Sequence, residues 1–140
     1  MTRTTTLGRI HRVRTLQLGL ARAEEMRHYD TLASETALNQ RIAGLVEAVA
    51  PTAATFGIRD LQARAHFRER LHHSAAAAET RVLNAETRAA AATEASRAAE
   101  RDQSAVEKLL DRARAAAALA EMRALQDAPA PARSNRHDPC

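Results

Sequence analysis

Aromatic residues are almost absent from this chain of 140 residues: it holds no Trp, one Tyr and two Phe. Too little bulky apolar material is left for a globular core of that length, so an extended helical protein fits better. The single cysteine, Cys140, excludes an intramolecular disulfide, and the expected compartment is the cytoplasm. No apolar run is long enough to span a bilayer, and the N-terminal stretch lacks the apolar core of a secretory signal, because Arg and His recur through Arg14. Its Arg- and Thr-rich, acid-free start imitates a mitochondrial transit peptide, but the spacing of Ile10, Val13, Leu16 and Leu20 reads more simply as the first turns of a structural helix. The chain also lacks a phosphate-cradling glycine loop, a nucleophile elbow and paired carboxylates in a sequence that could enclose them. No enzyme activity, cofactor or metal is therefore expected. His66, His72 and His73 have no carboxylate or cysteine placed to complete a metal shell and read as surface residues.

What is present is alanine at heptad spacing. From Leu71 to Ala124 one register runs unbroken through Ala75, Ala78, Val82, Ala85, Ala89, Ala92, Ser96, Ala99, Gln103, Val106, Leu110, Ala113, Ala117 and Ala120, with no Gly or Pro inside it. Alternating steps of four and three keep one seam facing a partner helix, the pattern of a coiled coil. A base composition rich in G and C explains the abundance of alanine, and also twenty Arg beside the one Lys, Lys108, but it does not arrange alanines in heptads. Alanine is the best helix former, yet each buried methyl contributes only about 1 kcal/mol or less, so helix propensity carries much of the stability. Small seam residues suit an antiparallel hairpin better than the parallel dimers that select Leu and Ile.

The fold class expected is all-α: two long helices forming an antiparallel coiled-coil hairpin over 1–127, the second helix longer than the first. The first helix is predicted over about 6–49, N-capped by Thr6. Its apolar row is Ile10, Val13, Leu16, Leu20, Ala23, Met26, Ala33, Ala37, Leu38, Ile42, Leu45 and Val49, blurred near Tyr29 to Ser34. A turn over about 50–59 contains Pro51 and Gly57. Asp60 is the expected cap of the second helix, over about 60–126. Folding about residue 54 would set Ile10 opposite about residue 98 and leave 103–126 overhanging with an uncovered seam. The proline-rich stretch 128–140 reads as a disordered tail.

The formal charge of +4 permits acidic partners, but acids and bases are interspersed from Glu24 onward. Residues 1–23 are the exception, with Arg3, Arg9, Arg12, Arg14 and Arg22 and no acid. The hairpin would bring them beside Glu86, Glu94, Glu100 and Asp102. Tyr29, Phe56 and Phe67 are too few and scattered to stack bases, so nucleic acid is not an expected partner.

Two stretches carry a family resemblance. Leu7-Gly8-Arg9-Ile10-His11-Arg12-Val13-Arg14-Thr15-Leu16, followed by Ala21-Arg22-Ala23-Glu24-Glu25, is similar to the opening helix of the flagellar export protein FliJ and its relatives in type III secretion. Val106-Glu107-Lys108-Leu109-Leu110-Asp111-Arg112, continuing to Glu121-Met122-Arg123-Ala124-Leu125-Gln126-Asp127, resembles that family's C-terminal pattern. The resemblance implies a stalk of the bacterial flagellum's protein-export apparatus, hence a part in motility. Its open end would enter the hexameric export ATPase, its other contact would be the export gate's cytoplasmic domain, and it would meet the membrane only through partners. An escort role for substrates is also open. On this reading the ATPase-facing residues are Arg9, Arg12, Arg14, Val106, Leu109, Leu110 and Ala113, and the gate-facing residues near the turn are Leu38, Ile42, Leu45, Val49, Phe67 and Leu71. The alternatives are a self-associating coiled-coil scaffold and, more distantly, a basic helical nucleic-acid binder.

Overall fold

Two helices account for nearly all of the residues, 2–50 and 57–129, that the computed structural model describes. Helix α1 is Arg3–Ala48 and helix α2 is Ile58–Asp127. They pack against each other as an antiparallel hairpin, with α2 the longer. At 1.5 Å per residue α2 is about 105 Å long and α1 about 70 Å.

Both N-terminal caps differ from expectation. Helix α1 begins one turn early because Thr2, not Thr6, is its N-cap: the Thr5 amide donates to Thr2 Oγ1 at 3.4 Å. Thr2 to Thr6 are all but continuous threonine, so several caps compete, and the one that allows the longest helix is used. Helix α2 starts from an extended Gly57, which leaves Asp60 within the first turn, where its charge complements the helix dipole. Much of the expected turn, 51–56, and the expected tail beyond residue 129 lie outside the described residues.

The alanine register of α2 is the seam. Every position from Leu71 to Ala113 in that register is buried or half-buried, with Ala78, Ala85, Ala89, Ser96 and Leu110 the most enclosed. The next three, Ala117, Ala120 and Ala124, are exposed. Helix α1 answers with a different row from the one its apolar residues suggest. Leu7, His11, Arg14, Leu18, Ala21, Glu25, His28, Leu32, Glu35, Asn39, Ile42, Val46 and Val49 face inward, again in steps of four and three. Ile10, Val13, Leu16, Leu20 and Met26 lie outside, 41% to 69% exposed.

Periodicity explains the choice. The steps from Ile10 to Met26 average close to three residues, so this row walks about half a turn around the helix and cannot stay against a straight partner. Leu18, Leu32 and Val46 recur at whole heptads and stay in phase with the alanines. Among the polar members between them, Arg14, Glu25 and Glu35 are long side chains whose stems cross the small alanines while their heads reach the flanks of α2.

Candidate partner-binding surfaces

Named bonds fix the register of the two helices. On one flank Arg14 Nη1 donates to Asp102 Oδ2 at 3.2 Å and Arg81 Nε to Glu35 Oε2 at 3.0 Å. On the other, Arg22 Nη2 donates to Glu100 Oε1 at 3.3 Å, and Tyr29 Oη lies 3.1 Å from Thr93 Oγ1. Thr93 in turn donates to Glu25 at 2.9 Å, and the Gln103 amide meets His11 Nε2 at 3.2 Å. Two of the expected N-terminal cations thus meet the expected acids, Asp102 and Glu100, whereas Glu94 pairs with Arg97 of its own helix. These pairs are largely solvated, each worth roughly 0 to 1 kcal/mol, so they select register more than they add stability.

That register lies further along α2 than folding about residue 54 would place it. His11 meets Gln103 and Arg14 meets Asp102, and the inward heptad rows of the two helices set Leu7 near Leu110. The uncovered seam expected at 103–126 is corrected accordingly: Leu110 is only 4% exposed and Val106 and Ala113 are half-buried under the start of α1. The reason is that α2 projects at both ends. Residues 57–67 are exposed past the end of α1, and so are residues 114–129 beyond its beginning.

At the open end the seven candidate residues therefore divide. Val106, Leu110, Ala113 and Arg14 belong to the hairpin itself, and Arg9, Arg12 and Leu109 face solvent, Leu109 at 45% exposure. Near the turn, Ile42, Val49 and Leu71 are half-buried in the seam. Leu38, Leu45 and Phe67 are 41%, 51% and 52% exposed, and their heptad positions put all three on the flank that carries Arg81 and Glu35. A shallow groove there joins Phe67 and Arg64 to Ala48, Val49 and Ala50. His66, His72 and His73 are exposed.

The sequence reading missed the outward position of Ile10, Val13, Leu16 and Leu20 and the polar inner face of α1. The drift of the apolar row against a seven-residue repeat was the available signal for both. No family model, no curated protein and no solved structure matches this chain.

Proposed function

We propose that this chain is the stalk of a flagellar-type protein export apparatus, bridging a hexameric export ATPase at the open end of the hairpin and the cytoplasmic domain of the export gate near its turn. It has no catalytic activity of its own on this reading and needs no cofactor or nucleic acid. The observation that carries the proposal is a stiff hairpin with solvent-facing apolar residues at both ends of one flank, Leu109 at the open end and Leu38, Leu45 and Phe67 near the turn. A bridge requires two separated contact surfaces on one rigid body. No described helix is long and apolar enough to cross a membrane, in keeping with attachment through partners in the cytoplasm. The similarity of Leu7–Leu16 and Val106–Asp127 to the FliJ pattern supplies the identity of the partners.

The test is capture of the purified chain by the host's export ATPase and, separately, by the gate domain. Leu109→Asp is expected to abolish the first and spare the second, and Phe67→Asp to do the reverse, with helicity unchanged in both. Leu110 is too enclosed for this purpose, since a charge there would report on folding. Failure of the wild-type chain to bind either partner, together with a solution mass of a stable dimer, would favour the self-associating scaffold.

A further inference from the structure

Helix α1 has a second apolar face that the hairpin does not use. Ile10, Val13, Leu16 and Leu20 follow one another at steps of three and four and are 41%, 53%, 69% and 67% exposed. Their heptad positions place Ile10, Val13 and Leu20 on the flank that carries the Arg14–Asp102 pair, with Leu16 at its outer edge. Leu109 of α2 lies on that same flank, and the register of the Arg14–Asp102 and Arg22–Glu100 pairs brings it about level with Ile10. The five residues offer on the order of 500 Å² of accessible surface, the size of a typical monomer's largest apolar patch, which is often functional.

The surroundings of this patch are basic. Arg3 and Arg9 border it on α1 and Lys108 and Arg112 on α2, and Arg3, Lys108 and Arg112 make no ion pair among the described residues. The two acids of this part of the flank, Asp102 and Glu24, are held by Arg14 and Arg27. A flank of two antiparallel helices that carries an exposed apolar strip with cations beside it matches a third helix with one apolar face and acidic borders. A second copy presenting the same flank would set arginine against arginine and is disfavoured.

We infer that the flank formed by Ile10, Val13, Leu16, Leu20 and Leu109 docks an acidic amphipathic helix of a partner protein, completing a three-helix bundle at the open end. The inference goes beyond the export reading and stands whether or not the partner is an export component, because it uses only the shape and charge of the flank.

The experiment titrates the full chain into two fluorescent peptides of about three heptads with the same leucine seam, one bordered by glutamate and one by lysine. The acidic peptide is expected to bind and the basic one not. Leu20→Asp and, separately, Leu16→Asp should each weaken binding by about tenfold or more, while Leu83→Asp, at an exposed leucine remote from the flank, should change it less than about twofold. Both flank positions are largely exposed, so circular dichroism should show the helices intact. The inference is overturned by no binding of the acidic peptide, equal binding of the basic one, equal loss with Leu83→Asp, or retention of binding by both flank variants. A wild-type dimer that Leu20→Asp converts to monomer would assign the flank to a second copy instead. Sedimentation with phosphatidylglycerol vesicles that Leu20→Asp abolishes would assign it to a membrane surface. An acidic peptide that binds while the export ATPase does not would sink only the export reading.

Discussion

Neighbouring leucines have opposite fates in this hairpin. Leu110 is 4% exposed beneath the start of α1, whereas Leu109, one helical step of about 100° away, is 45% exposed. Leu110→Asp should therefore destabilise by roughly 2 to 4 kcal/mol, because it both loses the buried side chain and places a charge in the seam. Leu109→Asp should stay within about 0.5 kcal/mol. Urea unfolding followed by far-ultraviolet circular dichroism measures both, and equal costs would contradict the observed register. At Thr93 the hydroxyl serves Glu25 and Tyr29 of the opposite helix. Thr93→Ala leaves the Glu25 carboxylate, half-buried, without that donor and should cost about 1 kcal/mol in the same assay. Neither role could be read from residue type, since Thr93 is outside the alanine row and Glu25 looks like an ordinary surface acid until its helix is set against a partner.

Each helix turns its chemistry to the partner in a different way. In α2 the small residues face inward; in α1 the long ones do. Ala78 is fully enclosed, so Ala78→Leu forces the helices apart or the side chain off its rotamer and should cost about 1 to 3 kcal/mol. Ala120 occupies the same heptad row but lies beyond the start of α1 and is exposed. Ala120→Leu should change stability by less than about 0.5 kcal/mol. Comparing the two midpoints in one urea series separates a seam that is covered from one that is merely in register. The α2 seam was legible in advance because its period is regular and most of its members are alanine, and the positions from Leu71 to Ala113 are indeed those that α1 covers. The α1 seam was not, because the conspicuous apolar residues between Ile10 and Met26 do not hold a heptad, and the residues that do include His11, Arg14, Glu25 and Glu35. Hydrophobicity alone ranks those four as solvent-facing; their length, set over alanine, is what lets them face inward.

The molecule as a whole is a rod whose longer helix sets its length. Small-angle X-ray scattering should give a maximum dimension of about 105 Å or somewhat more for a monomer, the length of α2. A value near 150 Å or beyond, with the mass of two chains, would show end-to-end association through the projecting ends of α2. Because the cross-helix ion pairs are solvated, about 1 M salt should lower the thermal midpoint only slightly. Salt should act more strongly on partner binding at the open end, where cations outnumber acids. Of the candidate surfaces, the turn-end residues Leu38, Leu45 and Phe67 and the open-end Leu109 were named from the sequence for their bulk or position. Their gathering on a single flank is a property of the pairing.

The sequence by itself determined that this chain is helical, that it reverses once, and that one helix presents an alanine-rich seam in an unbroken heptad register. These follow from local terms: helix propensity, the seven-residue repeat, and the position of Pro51 and Gly57 between two uninterrupted stretches. Only the tertiary structure decided which face of α1 meets that seam and how far the helices are slid along each other. An alanine ridge is nearly uniform along its length, so burial of methyl groups distinguishes one register from another only weakly. The choice falls to a few side chains of the other helix, among them Leu18 against the ridge, Arg14 reaching Asp102 and Glu35 reaching Arg81, whose partners exist only once the chain has folded back.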